Sequence, residues 1–317
     1  MATVATDLAN SIDASDVRAR LDAVAKRLIK HRIILAEILK ECVDEFKELD
    51  IKFIEENCFV GEVQVNEVAV DQDMLDADST IIGSNTEDKS DSEGAVYYDL
   101  VFDALVPSTQ KLIRLVINIE IQVETKLSYA IVTRGVYYTA RLISRQKGSV
   151  FTDNHYEKIQ KVYSIWICPD PKKGNRNSIA EYGFTQQKVV GSVNEPAESY
   201  DKMKVIVISL NDDGMDNRND IIRLLSALLS TSETVEKRKQ ILEDEFNIPM
   251  TKEIEEEVLE MCNLGQAVEM KGAEKAMLEN IEKMIKNLKL TAQQAMDALE
   301  IPKSDQARYA KKLDTNS

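Results

Sequence analysis

The chain has 317 residues, 44% of them hydrophobic and 30% charged, with 40 basic against 55 acidic side chains and a formal net charge of -15. This is the composition of a soluble globular protein long enough for one sizeable domain plus a smaller one. No run of about 18 apolar residues occurs, and the opening MATVATDLANSIDASD has neither a basic leader nor an apolar core, so the expectation is a cytoplasmic protein with no membrane span and no secretion.

A first helix is predicted from about Asp16 to Leu49, its apolar stripe formed by Val17, Leu21, Val24, Leu28, Leu35, Ile38, Leu39, Val43 and Phe46. Its length implies a break or a frayed arm. Residues 61 to 70 alternate as a strand carrying Val63, Val65, Val68 and Val70, with a bulge expected near Asn66 and Glu67. Residues 71 to 94, rich in Ser, Asp and Gly, read as a long acidic loop, which lacks the glycine and closing glutamate of a calcium loop.

Residues 96 to 124, VYYDLVFDALVPSTQKLIRLVINIEIQVE, carry the densest signal. Tyr97, Asp99, Val101 and Asp103 alternate with Tyr98, Leu100, Phe102 and Ala104, and Asn118, Glu120, Gln122 and Glu124 alternate with Ile117, Ile119, Ile121 and Val123. The pattern is a hairpin with one polar, acidic, water-facing side. With the turn centred on Ser108 and Thr109, Asp99 falls opposite residues 118 to 120, next to Glu120, while Asp103 faces Arg114 to Val116. Gln122 lies roughly 6.5 Å beyond Glu120 on the same side. An Asp on one strand and Glu-x-Gln on the next suit a divalent metal such as Mg²⁺, which takes one or two carboxylates and leaves its other positions to water and phosphate. The same acids would also serve an ordinary exposed sheet face that keeps an edge soluble.

Further along, residues 128 to 146 form a helical pattern in which Thr133, Arg134, Tyr137, Tyr138 and Arg141 recur at helical spacing, and KVYSIWIC over 161 to 168 reads as a buried strand. Together with the hairpin's second strand they make a βαβ unit. Residues 203 to 210, MKVIVISL, supply another strand, and a helix is predicted over 220 to 229. From Thr231 onward strand signals vanish and charged helical patterns take over, placing a core at 1–232 and a helical extension at 233–317 that packs on the core or supports homo-oligomerisation. Within it, Thr291 and Ser304 cap two short helices around Pro302, a helix-turn-helix spacing over 291–313 with Arg308, Lys311 and Lys312 on the second helix. Cys42, Cys58, Cys168 and Cys262 form no C-x-x-C and are joined by only His31 and His155, which argues against zinc.

YYDLVFDALVP, LVINIEIQ, TRGVYYTARLISRQ and KVYSIWIC together resemble the PD-(D/E)XK nuclease superfamily, in its recombination-promoting nuclease or transposase branch, over about residues 30 to 215. The resemblance implies an α/β restriction-endonuclease-like core, a mixed sheet flanked by helices, and a Mg²⁺- or Mn²⁺-dependent endonuclease acting on DNA. Asp99 would take the Asp role and Glu120 the Glu role in metal binding, with Asp103 as runner-up for the first, and Gln122 would stand where a Lys is usual. The family's accessory glutamate on the first core helix has two candidates here, Glu37 and Glu41. A neutral amide at Gln122 carries no full charge, so part of the stabilisation of a phosphate in transfer must come from metal or another cation, for which Arg134 is the candidate. The net charge of -15 runs against DNA binding unless a basic surface is local, because much of the acid lies in the 71–94 loop and the 233–260 helices. A nuclease fold that binds DNA or protein without turnover, and an acidic scaffold, are the rival readings.

Overall fold

The computed structural model describes residues 14–65, 69–71, 87–90, 93–107, 112–122, 127–169, 171, 173–211, 215, 217–230 and 234–315. The chain divides into two compact units, one of residues 20–262 and the other of residues 263–317 with the N-terminal residues up to Ala19.

The single helix expected at the start is broken. α1 (Ala14–Ile29) ends before His31, which is extended (φ -60°, ψ 127°) and immediately precedes α2 (Arg32–Cys42) without a side-chain cap bond; a 3-10 turn follows at Asp44–Phe46. The break coincides with an anchor, since His31 Nε2 lies 2.8 Å from Glu257 Oε2. α3 (Ile51–Asn57) begins at Asp50, whose carboxylate accepts the Phe53 N–H. β1 (Phe59–Val65) starts two residues earlier than predicted, its irregularity falls between Val60 and Gln64, and Asn66 and Glu67 lie outside the described residues.

β2 (Ala69–Asp71), at the end of the predicted first strand, β3 (Glu87–Ser90), within the span expected to be a loop, and β4 (Glu93–Tyr97), which begins there, form a three-stranded sheet, β2 parallel and β4 antiparallel to β3. The sequence EDKS of β3 holds no apolar residue, so no periodicity could announce it.

The main sheet has six strands in the order β1-β5-β6-β7-β9-β8, with β5 at Leu100–Pro107, β6 at Leu112–Ile121, β7 at Lys161–Cys168, β8 at Ser178–Gly183 and β9 at Met203–Ser209. β6, β7 and β9 run parallel and the outer pairs are antiparallel, giving a mixed α/β sheet flanked by helices. Ser108 and Thr109 of the hairpin turn lie outside the described residues, but the strands beside them pair Leu100 with Ile119 and Asp103 with Val116, within the register the sequence implies. α4 (Ile131–Ser144) connects β6 to β7 and packs on β7 and β9. Its underside shares a core with Tyr98, Tyr138, Leu142, Val162, Trp166, Val205 and Val207. β7 is buried on both faces, as its largely apolar run implies, with Ser164 the buried polar exception. From its other face the Tyr163 hydroxyl donates to Glu45 Oε2 at 2.6 Å, in the 3-10 turn after α2. β8 escaped the sequence reading because SIAEYG is an edge strand, largely exposed and with little apolar content.

After the short α5 (Ala197–Tyr200) and β9, every described element is helical: α6 (Asp220–Leu229), α7 (Val235–Gln240) running into a π turn at Ile241–Glu245, α8 (Lys252–Leu288), α9 (Ala292–Ala298) and α10 (Lys303–Thr315). Thr291 heads a full capping box on α9 with Gln294, whereas α10 begins one residue before Ser304. In the second unit Ile281, Ala295, Met296, Ile301 and Tyr309 form a small core, and Arg308 and Lys312 both pair with Glu274. No helix of the described residues is long and apolar enough to cross a membrane.

Candidate active site

Antiparallel pairing of β5 with β6 carries Asp99, one residue before Leu100, to a point opposite Glu120. Two backbone bonds fix the encounter. The Asp99 N–H donates to Glu120 Oε1 at 3.2 Å, and the Ile121 N–H donates to Asp99 Oδ2 at 2.8 Å. The second Asp99 oxygen meets a cation the sequence reading did not anticipate: Lys26 Nζ, from α1, lies 2.8 Å from Asp99 Oδ1 and 2.6 Å from Asp22 Oδ2. The carboxylate side of the hairpin is therefore not water-facing as expected. Glu120, paired in register with Trp166 of β7, is only 4% exposed, because α4 covers this face.

Gln122 follows β6, its N–H bonded to the Ile167 carbonyl at 2.8 Å. Its side-chain oxygen accepts from Arg134 Nη1 at 3.2 Å. Arg134 is held from three directions. Nε and Nη2 donate to the Tyr138 hydroxyl at 3.1 and 2.6 Å, and the guanidinium carbon sits 5.0 Å from the Tyr138 ring centroid and 5.2 Å from that of Trp166. The indole N–H of Trp166 donates in turn to Ser164 Oγ at 2.9 Å. Close approach of α4 to the sheet depends on Gly135, where a Cβ would meet Val205 Cγ1 at 2.5 Å and Trp166 Nε1 at 2.9 Å. The glycine next to Arg134 is thus what lets the guanidinium come within 5.2 Å of the indole centroid.

Burial raises the Glu120 pKa well above the ordinary carboxyl range and the nearby Asp99 charge adds to it; the Asp99 N–H, Arg134 and Lys26 oppose the rise without cancelling it. Burial works against the Lys26 ammonium, but Asp99 and Asp22 outweigh it and its pKa is raised. Burial also raises Tyr138, keeping the phenol neutral beside Arg134. Three carboxyls, Asp22, Asp99 and Glu120, thus share two cations, and the buried one is short of positive charge. Hard carboxylate oxygens in a cluster that lacks positive charge fit a divalent cation of the Mg²⁺ type, which Asp99 and Glu120 would hold.

The structure brings Asp99, Glu120, Gln122 and Arg134 together. Asp103 is buried opposite Val116, four residues before Glu120 and so roughly 13 Å along the strand. Glu37 is buried in α2, and the acids that influence it are Glu41 and Asp220, not the Asp99 pair. The first helix does send an acid to the site, but it is Asp22. An i,i+4 Asp-Lys pair on α1 was visible in the sequence; that it folds against Asp99 was not. His31, Glu253 and Glu257 form a separate cluster, in which Arg27 Nε and His31 Nε2 lie 3.4 and 2.8 Å from the two Glu257 oxygens. Compared with known proteins, the chain matches no family model, no curated protein and no solved structure.

Proposed function

We propose that this protein is a Mg²⁺- or Mn²⁺-dependent DNA endonuclease of the PD-(D/E)XK type, akin to the recombination-promoting nuclease branch that its motifs resemble, hydrolysing phosphodiester bonds with an activated water. The observation that carries the reading is the backbone-fixed convergence of Asp99 and Glu120 from adjacent strands, with Glu120 buried and undercompensated. The mixed sheet with a helix crossing from β6 to β7 agrees with the core such a nuclease would have.

A bound divalent cation would supply a water of lowered pKa and neutralise charge on the phosphate. The chain's own groups do the rest. Asp99 and Glu120 would hold the cation, their orientation set by the Ile121 and Asp99 N–H groups. The Gln122 amide, its oxygen fixed by Arg134, would orient water or a phosphate oxygen. Arg134, locked by Tyr138 and Trp166, presents a guanidinium to charge developing on the phosphate without reorganising.

The test is supercoiled plasmid incubated with purified protein in Mg²⁺, in EDTA, and with Glu120→Ala. Cleavage by the wild type in Mg²⁺ alone supports the assignment. An intact plasmid, or equal cutting by Glu120→Ala, refutes it. An intact plasmid combined with a gel shift in Ca²⁺ would instead identify a nuclease fold that binds DNA without turnover.

A further inference from the structure

Gln122 leaves the site without the full positive charge that a lysine would carry at that position, and Arg134 gives part of its donor set to Gln122 and Tyr138. One more cation reaches the acid pair. Lys26 enters from α1, a different element from those that carry Asp99, Glu120, Gln122 and Arg134, and its side chain is 19% exposed beside an Asp99 that is 18% exposed, so solvent and ligands reach the contact. An ammonium has three donors, and Asp22 and Asp99 take two of them. It is a compact point charge that a phosphate oxygen can approach from a wide range of directions, unlike the flat, ring-stacked guanidinium of Arg134. Anchoring α1 would need only one of these carboxylates; holding the ammonium between an acid of its own helix and Asp99 fixes its position next to the candidate metal ligands.

We infer that Lys26 is a substrate-phosphate contact of this site, supplying from α1 the positive charge that Gln122 lacks. The inference deepens the endonuclease reading and rests on it for its effect on rate, though not for its effect on DNA binding. Lys26 forms and breaks no covalent bond: it donates a hydrogen bond to a non-bridging phosphate oxygen and keeps its protons.

Full-length wild type, Lys26→Gln, Lys26→Arg and Lys26→Gln combined with Gln122→Lys are compared, each checked for folding by thermal melting. The readouts are anisotropy of a fluorescent DNA duplex in Ca²⁺ and plasmid cleavage in Mg²⁺. Lys26→Gln is expected to weaken binding about tenfold and slow cleavage about 100-fold, the usual scale for losing one charge-stabilising donor. Adding Gln122→Lys is expected to return much of both losses, which it would not do if Lys26 only anchored a helix. Equal binding by wild type and Lys26→Gln, or a double variant no better than Lys26→Gln, overturns the inference, as does absence of DNA binding by the wild type. If Lys26→Gln does not fold, Lys26→Arg decides: binding close to that of the wild type supports the role of charge, and lost binding overturns it. A wild type that binds but never cleaves refutes the endonuclease reading, and the binding comparison still decides on Lys26.

Discussion

Gly135→Ala tests the link from sequence to site most directly. A Cβ at this position would stand 2.5 Å from Val205 Cγ1 and 2.9 Å from Trp166 Nε1, where carbon contacts normally lie at about 3.5–4.0 Å. Neither neighbour can yield cheaply, since Trp166 is buried beneath Arg134 and Val205 lies in the same core. Relief therefore requires α4 to lift from the sheet by about 1 Å, the shortfall in these contacts. Overpacking of this severity costs about 3 kcal/mol, the upper part of the usual range, and the better helix propensity of alanine returns about 1 kcal/mol. The net loss is about 2 kcal/mol, or roughly 4–8 °C in Tm for a unit of this size. Lifting the helix also moves Arg134 away from Gln122 and Trp166, and a misplacement of about 1 Å at a reacting centre costs on the order of 100-fold in rate. Urea denaturation and plasmid cleavage measure the two effects. A Gly135→Ala protein as stable as the wild type, or more so, would show that helix propensity alone governs the position and would refute the close-packing argument.

Glu120→Gln keeps the acceptor for the Asp99 N–H while removing a carboxyl that burial keeps from ionising, so the metal-free variant is expected to melt higher than wild type at pH 8 and to cleave nothing; calorimetry with and without Ca²⁺ should show that the ion stabilises only the wild type. Arg134→Lys preserves charge but loses the fork that spans Gln122 and the Tyr138 hydroxyl and the stacking on Trp166, and kcat for plasmid nicking should fall about 100-fold; a fall of less than about threefold would mean that only the charge matters. Glu37 is pushed up to about 7 by burial, with Glu41 adding to it and Lys40 opposing. The fold holds this proton after the unfolded chain has lost it, so its contribution is complete below the ordinary value of 4.5 and is lost as pH rises through about 7. Glu37→Gln should flatten the decline of Tm between pH 5 and 7.5, and an unchanged slope would exclude Glu37 as its source.

What could be read in the sequence follows from which signals are local. The alternation of β5 and β6 is local, and with a turn between them it placed Asp99 opposite residues 118 to 120 and Asp103 opposite residues 114 to 116, ranges that contain the observed pairing. The run KVYSIWIC likewise marked β7. β3 was missed because EDKS holds no apolar residue, and β8 because it is a short, largely exposed edge strand in which no apolar run stands out. The exposure of the hairpin's acidic side was misjudged because α4 covers it, and that covering is set by Gly135, a residue whose missing side chain gives no pattern to read. Lys26 was beyond sequence reasoning for the same reason: its pairing with Asp22 is written in the helix, its pairing with Asp99 only in the fold.

A purely structural account of the acid pair has to explain its expense. Burying a carboxyl beside a second one is costly unless hydrogen bonds and counter-charges repay it, and similar volume could be filled by apolar residues at no such cost. The backbone N–H groups and Lys26 go part of the way, yet Glu120 remains raised well above its ordinary range. Arg134 does not close the gap, because its donors turn to Gln122 and Tyr138 and its face to Trp166. A structural ion pair would aim the guanidinium at Glu120. Here it is locked next to the acids with its position, not its neutralising power, maximised. Fixed cations beside underneutralised hard oxygens form an arrangement that a divalent cation and a phosphate would complete, one meeting Asp99 and Glu120 and the other meeting Arg134 and Lys26.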